Sequence, residues 1–223
     1  MNVEQILFEV SEALRVPVLV LALVALAVAV VEAGALAMEL WRRRGRSLWQ
    51  LDHAIAECQG RLAAGMRAEA IAALLPIARN PPMEEVLGDL VAQQGAVDSE
   101  ARVAKLLAEY DYRSLRKLER TRILVRLGPA LGLMGTLIPL SPALAGLADG
   151  DVATLTENLR IAFGVTVVGL LVGAVAFSIS LVRDRLYAQD YSDVEYVAAR
   201  LATPPAANGS PPAAGHSHWA VAP

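Results

Sequence analysis

Three side chains in this sequence have a type and a position that could do chemistry. Thr136 and Thr166 lie in long apolar runs that hold no charged residue, and Glu32 is the one ionisable residue inside an apolar run. A threonine hydroxyl can bond back to a carbonyl of its own helix, so either threonine taken alone is more simply a packing residue. A carboxyl group within a membrane span indicates a functional role by default. Glu32 also has simpler explanations, because it could reach the inner membrane surface or pair with Arg126.

The sequence holds few residues suited to binding a metal ion, a nucleotide or a nucleic acid. The chain has one cysteine, Cys58, and three histidines, of which His216 and His218 fall in a tail rich in Pro, Ala and Gly. The sequence contains no glycine-rich phosphate loop and no nucleophile motif. The net charge of −3 does not favour nucleic acid as a partner. We therefore predict no enzyme activity, no cofactor, no metal centre and no nucleic-acid partner.

Three apolar runs must position the two threonines and the glutamate. They cover residues 16–38, 127–148 and 161–182, in a chain whose residues are 55% hydrophobic and 19% charged. Each run is long enough, at ~1.5 Å per residue, to cross a hydrocarbon core of roughly 30 Å. A backbone in lipid must satisfy its own hydrogen bonds, so these runs form helices. The sequence predicts an all-α membrane protein with three transmembrane helices.

The distribution of charge predicts the orientation of the spans. The first run is read as a retained helix rather than a cleaved signal peptide, because its N-terminal flank holds Glu4 and Glu9 and no basic residue before Arg15. Of the 20 Lys and Arg residues, 18 lie within 41–126 or after residue 182. By the positive-inside rule, segment 1–15 and the loop 149–160 lie outside, and segments 39–126 and 183–223 lie in the cytoplasm. We expect an inner-membrane protein in contact with lipid on these three spans.

The predicted cytoplasmic segments also have helical patterns. Residues 99–126 run into the second span without a break, which predicts one long helix, and residues 183–202 continue the third span in the same way. The composition of residues 203–223, which is rich in Pro, Ala and Gly, predicts a disordered tail. Apolar side chains recur at helical spacing in three stripes: Leu48, Leu51, Ile55, Cys58 and Leu62; Val86, Leu87, Leu90 and Val91; and Leu186, Tyr187, Tyr191, Val194, Val197 and Leu201.

Small residues and prolines in the second and third spans predict close helix packing. Gly132, Gly135, Gly169 and Gly173 allow backbones to approach each other in lipid, where apolar side chains gain little by association. We expect Thr166, Gly169, Gly173 and Phe177 to share one face of the third span. Pro129 lies near the start of the second span, where a proline costs little. Pro139 and Pro142 lie deeper, and we expect them to kink the helix or end it early.

Two segments of these spans resemble the MotA/TolQ/ExbB proton channel family. The second span begins GPALGLMGT at residues 128–136, and the third contains FGVTVVGL at residues 163–170. ExbB- and TolQ-like members carry a Pro-x-x-Gly-Leu-x-Gly-Thr stretch in the second span and an Ala-Thr-Ala-x-Gly-Leu stretch in the third. The order of spans and loops agrees as well, and the length of the cytoplasmic segment favours an ExbB/TolQ-like subunit.

The resemblance implies a ring of five subunits around a dimer of a single-span partner of the ExbD, TolR or MotB kind. That partner carries an essential aspartate, and ion flow past it drives mechanical work. Thr136 and Thr166 would then face the aspartate, with Pro129, Pro139 and the glycines shaping the wall. One departure concerns a family glutamate shortly before the third-span threonine, because Ile161 stands there and Glu157 lies one turn further out. This leaves H⁺ or Na⁺ open as the ion. The alternative is a non-conducting oligomeric scaffold that anchors other proteins.

Overall fold

The computed structural model describes residues 3–43, 47–96, 98–148 and 150–203. All regular structure in these ranges is helical, and the chain order is α1 (Val3–Ala13), α2 (Arg15–Arg42), α3 (Leu48–Ala63), α4 (Arg67–Leu74), α5 (Pro81–Ala92), α6 (Ser99–Ala148) and α7 (Val152–Ala202), with a 3-10 turn at Leu75–Ile77 between α4 and α5. The predicted tail 203–223, with His216 and His218, lies outside the described residues apart from Thr203.

Three stretches are long and apolar enough to cross a membrane: Gln5–Arg42, Ser99–Ala148 and Val152–Ala202. They contain the three predicted runs 16–38, 127–148 and 161–182. The prediction of an all-α chain with three helices long and apolar enough to span a membrane is therefore confirmed for the described residues. Helices α6 and α7 each continue well beyond their apolar run, as the uninterrupted helical pattern indicates.

Two local predictions differ from the structure. Residues 149–160 were expected to form a loop, but α7 begins at Val152, capped by the Asp151 carboxylate, which accepts a hydrogen bond from Thr154 N at 3.1 Å. Helix α6 does not end early at its prolines, because it continues past Pro139 and Pro142 to Ala148. Pro139, which lacks an N–H donor, is buried in the structure, and surrounding protein allows a helix to continue past such a position.

Helices α6 and α7 form an antiparallel pair held at backbone distance by glycines. A Cβ atom placed on Gly169 would lie 2.5 Å from the Gly128 carbonyl oxygen and 2.7 Å from Gly132 Cα. A Cβ on Gly173 would lie 2.9 Å from the ring of Pro129, and one on Gly135 would overlap the side chain of Val165. No residue larger than glycine fits at these positions without moving a helix, so the glycines fix how closely the two helices approach.

The same contacts fix the register of the pair. Gly128 lies beside Gly169 and Gly173, and Gly146 lies beside Thr154 at the other end. The two apolar runs are therefore staggered by roughly ten residues, or about 15 Å. In this register, the stretch free of charge on both helices is short: residues 127–138 of α6 face residues 161–172 of α7.

Helix α2 packs against this pair through small side chains. Its buried positions are Val18, Ala22, Ala25, Ala29 and Leu36. Val18, Ala25 and Ala29 form one apolar cluster with Leu124, Leu131, Val172 and Ala176 of the pair. Small residues at this spacing let α2 lie close to both helices in lipid, where van der Waals contact supplies most of the association energy.

The remaining helices form a second unit, which we call the polar bundle: α3, α4 and α5 packed on the polar ends of α6 and α7. Its core confirms most positions of the three predicted stripes, but Leu48 is 67% exposed and Leu186 and Tyr187 are half-buried outside the core. The fully buried members include Ile55, Cys58, Leu74, Met83, Leu87, Leu90, Tyr110, Val194 and Val197. Asn80 caps α5 by accepting a hydrogen bond from Met83 N at 3.0 Å.

One buried ion pair joins α2 to the polar bundle. Arg43 donates two hydrogen bonds of 2.7 Å to the two carboxylate oxygens of Asp190, and it also binds Glu39 at 2.8 Å. The Asp190 side chain is 1% exposed. Burial raises the pKa of the Asp190 carboxyl above its ordinary value, although the hydrogen bonds and charge of Arg43 act in the opposite direction.

The first prediction concerns the glycine contact. We expect Gly169→Ala to lower the free energy of unfolding by about 1–3 kcal/mol, because the new methyl group meets backbone atoms that cannot rotate away. Gly164→Ala is the matched control on the same helix, since a Cβ there meets nothing within 4 Å. Denaturant unfolding of the detergent-solubilised chain measures both. Equal free energies of unfolding for the two variants would show that Gly169 does not lie in a tight contact with the backbone of α6.

The second prediction concerns the pair between α2 and the bundle. Arg43→Ala should cost about 3–5 kcal/mol, because it leaves a buried carboxylate without its main partner. Arg61→Ala is the control, since Arg61 forms comparable ion pairs at the surface with Glu57 and Glu69 and should cost about 1 kcal/mol or less. A loss of stability no larger for Arg43→Ala than for Arg61→Ala would show that the pair does not hold the bundle.

Candidate functional site: the hydroxyl-bearing segment of the α6–α7 pair

The structure brings the two threonines to similar depths on the α6–α7 pair. Gly132 packs against the backbone of Thr166, because a Cβ on Gly132 would lie 3.4 Å from the Thr166 carbonyl oxygen. Thr136 lies one helical turn beyond Gly132, a rise of about 6 Å. Both residues are half-buried. Each threonine therefore lies at the edge of the glycine contact, within the segment where both helices lack charge.

Both hydroxyl protons are used within their own helices. Thr136 Oγ1 donates to the Leu133 carbonyl at 2.7 Å, and Thr166 Oγ1 donates to the Ala162 carbonyl at 2.9 Å. A hydroxyl oxygen has two acceptor lone pairs besides its one proton. With their protons engaged, these oxygens can accept hydrogen bonds from a water molecule or from a protonated carboxyl group. The two threonine oxygens can therefore accept hydrogen bonds, but the hydroxyl groups do not ionise.

Polar pairs lie near the outer end of the segment, as the predicted orientation defines it. Glu157 and Arg160 pair at 2.9 Å on the first turns of α7, and both are exposed. Arg15 of α2 donates to the side-chain oxygen of Asn158 at 2.9 Å, and Asn158 is buried. Glu157 lies nine residues before Thr166, about 14 Å along the helix. No acidic side chain of α7 therefore stands close to the threonine within the segment itself.

Glu32 has a partner at the opposite end of the segment. Of the alternatives for Glu32, pairing with Arg126 is not observed: Arg183 Nη1 donates to Glu32 Oε2 at 2.5 Å, and Arg126 is exposed. The Nε atom of Arg183 also lies 3.8 Å from Glu39. Helices α2 and α7 run in the same direction, so Arg183, at the end of the α7 apolar run, lies beside the inner part of α2. Glu32 thus takes part in an ion pair that ties α2 to α7.

Together, the two polar contacts hold α2 against α7 at both ends of the apolar region. Arg15 with Asn158 acts at one end, and Arg183 with Glu32 at the other. Between them only small apolar side chains of α2 are buried. Pairing of this kind is the expected arrangement for charged groups near hydrocarbon, because an unpaired charge there is costly.

The predicted packing residues are brought together, with one exception. Gly132, Gly135, Pro139, Gly169 and Gly173 are buried, and the ring of Pro129 contacts Gly173 although Pro129 itself is exposed. Phe177 lies about 20° from Thr166 and about 40° from Gly173 around the helix, as expected for one face, but it is at the exposed side of that face. It is 58% exposed, whereas Ala176, about 20° from Gly169, is fully buried in the contact.

Sequence reasoning missed the residues that connect the membrane helices to one another and to the polar bundle. These are Arg43, Arg79, Arg183, Asp190 and Asp193, all buried or half-buried, with Arg79 Nε 3.8 Å from Asp190 and 3.9 Å from Asp193. The available signal was weak. Arg183 is the first charged residue after the third apolar run, but its partner Glu32 is 151 positions away. Burial also raises the pKa of Tyr110, next to this cluster, to about 12.

Within the described ranges, no group of three or more His, Cys, Asp or Glu side chains is arranged to hold a metal ion. The threonine segment lies on the surface of a three-helix unit that is too small to enclose a path for ions. The side chains around it are apolar and exposed, and they include Leu133, Leu137, Phe163, Val167 and Leu170. An apolar surface of this extent in a membrane protein contacts lipid or another protein.

Comparison with known proteins agrees with this geometry. A search of curated proteins finds no match. The family model for the MotA/TolQ/ExbB proton channel family matches residues 82–194, about half of the chain. The matched region contains α5, both threonines, every glycine of the α6–α7 contact, and Arg183 with Asp190. On this match, the chain belongs to the MotA/TolQ/ExbB proton channel family.

Proposed function

We propose that this chain is the channel-forming stator subunit of an ion-driven motor in the inner membrane, with H⁺ as the ion. Several copies, five by the family resemblance, would surround a partner subunit whose single membrane helix carries an essential aspartate. The observation that supports this most is the α6–α7 segment of residues 127–138 and 161–172. It bears two hydroxyl acceptors, has no charged side chain and is held rigid by backbone contact.

The α6–α7 segment has no charged side chain, so a proton can cross it only with an acidic group supplied by another subunit. An ionised carboxylate is costly in an apolar segment, and its pKa rises there, so a guest aspartate would be driven to bind a proton. In the neutral form its O–H group can donate to the free lone pairs of Thr136 or Thr166. Release on the other side, where Arg126 and the polar ends of the helices stand, would return the carboxylate to its charged form. Each passage would carry one proton and reposition the partner helix.

The choice of H⁺ over Na⁺ follows from the number of oxygen ligands. A hard cation that gives up its water requires several oxygen atoms at close range. The segment offers two side-chain oxygens per chain, and each is already engaged as a donor to its own helix. A proton needs only one acceptor at a time, which the threonines and the guest carboxyl provide.

The orientation and the assembly are part of the same proposal. The excess of Lys and Arg in segments 39–126 and 183–223 supports a cytoplasmic polar bundle and an outer N-terminus. The exposed apolar faces of α6 and α7 support self-association around a partner of the ExbD, TolR or MotB kind. The rigid pair would supply a fixed wall, and the polar bundle would hold neighbouring walls in place.

The third prediction tests the hydroxyl wall. In liposomes that contain the complex with its single-span partner, Thr136→Val or Thr166→Val should lower proton flux by roughly two- to tenfold, because a neutral hydrogen bond contributes about 0.5–1.5 kcal/mol. Valine keeps the shape of threonine, so assembly measured by native mass spectrometry should not change. Proton flux is measured with a pH-sensitive dye. A parallel experiment applies a Na⁺ gradient in place of the proton gradient and measures Na⁺ flux.

Two further variants make this test specific. Thr166→Ser keeps the hydroxyl and should keep most of the flux. Thr156→Val removes a hydroxyl that bonds to its own helix at 2.9 Å but lies outside the segment, and it should behave like the unmodified chain. Normal flux in the double valine variant would overturn the hydroxyl wall. Absence of flux in every preparation that contains the partner would favour the non-conducting scaffold instead.

A further inference from the structure

A polar cleft opens where the inner part of α2 meets the polar bundle, and the ion path does not use it. Its volume is about 730 Å³, within the range of small-molecule sites. It extends from Ala35, within the apolar run of α2, to the segment 76–81 that joins α4 to α5, and to Tyr187 and Asp193 on α7. One end of the cleft is therefore level with the membrane span, and the other lies in the polar bundle.

Positive charge predominates along the described part of the lining. The cationic side chains are Arg42, Arg43, Arg79, Lys117 and Arg183, and the acidic ones are Glu39, Glu84 and Asp193. Arg43, Arg79 and Arg183, which are buried or half-buried, have carboxylate partners. Arg42 and Lys117 are exposed and form no ion pair with any described residue. Among the described lining residues, Arg42 and Lys117 thus lack an ion-pair partner, as does the exposed Glu84, and the three guanidinium groups lie beside them.

The buried guanidinium groups also retain unused donors. The Nε–H groups of Arg79 and Arg183 are buried and have no hydrogen-bond partner, because the nearest carboxylate oxygens lie at 3.8 Å or beyond. The Arg183 side chain is 9% exposed. A buried donor without an acceptor costs about 1–3 kcal/mol. The carboxylates of the described residues therefore leave a donor of each of these two arginines free, which favours an additional oxygen-rich anion in the cleft.

We propose that this cleft binds the phosphate group of an anionic phospholipid from the adjacent leaflet. Phosphate oxygens match the planar donor fork of arginine, and arginine and lysine at the end of a membrane span attract anionic headgroups. The position of Ala35 at the membrane end allows acyl chains to stay in the bilayer while the headgroup enters the cleft. The same phosphate chemistry is also offered by free phosphate, so the test includes both sources. The proposal does not depend on ion conduction.

The fourth prediction measures this binding on the purified full-length assembly. Phosphatidylglycerol is titrated into assemblies in phosphatidylcholine nanodiscs, and bound lipid is counted by native mass spectrometry. The variant Arg42→Gln with Lys117→Gln should weaken phosphatidylglycerol binding by roughly fivefold per cation, about 25-fold together. Lys105→Gln with Arg200→Gln removes the same charge from surface positions that do not line the cleft, and it should change binding by less than about twofold.

The outcomes separate the possible occupants. Selective loss in the cleft variant, with no competition by millimolar inorganic phosphate, supports a lipid headgroup. If inorganic phosphate competes with phosphatidylglycerol in the unmodified chain but not in the cleft variant, the site is the same cleft and free phosphate is one of its occupants. Equal losses of phosphatidylglycerol binding in the cleft and surface variants would show that only general surface charge matters, and would overturn the proposal. Equal binding of phosphatidylcholine and phosphatidylglycerol would overturn it as well.

Discussion

Backbone contact between α6 and α7 determines where every other group in the membrane part of this chain can lie. Gly128 and Gly132 face Gly169 and Gly173, and a Cβ atom on Gly128, Gly169 or Gly173 would come closer than 3.0 Å to the facing helix. In lipid, where apolar burial gains little, such close approach is a main source of association energy. The contact sets the register of the pair, and the register sets which residues share a depth. The two threonines fall in one charge-free segment because of this stagger.

The polar contacts have a complementary role, because they set the ends of the apolar region and its attachment to the bundle. Arg15 with Asn158 and Arg183 with Glu32 hold α2 to α7 at two levels. Arg43 with Asp190 then fixes α2 to the polar bundle. Buried pairs of this kind contribute orientation more than net stability, since desolvation offsets much of their attraction. The proposed function, a fixed wall for a partner helix, requires such fixed orientation.

The sequence determines the elements of this fold well and the relations between them poorly. Apolar runs of 22 or 23 residues and the unbroken patterns into and out of them identify three spanning helices and the long α6 and α7. The helical repeat correctly groups Val86, Leu87, Leu90 and Val91 as buried. The stagger of α6 against α7 was not predictable, because it depends on backbone atoms meeting across two helices. For the same reason the sequence offered Arg126 as a possible partner of Glu32 but did not indicate Arg183, which the structure places there.

Membership of the MotA/TolQ/ExbB proton channel family and the geometry of the α6–α7 segment lead to one central claim: Thr136 and Thr166 face a lumen that admits a foreign helix. An experimental map of the purified assembly, at a resolution that shows side chains, tests it most directly. We predict both threonines on the wall of an axial lumen, with a single helix from another subunit opposite them. A map with both threonines facing lipid, or with the axis closed by apolar side chains of this chain alone, would contradict it.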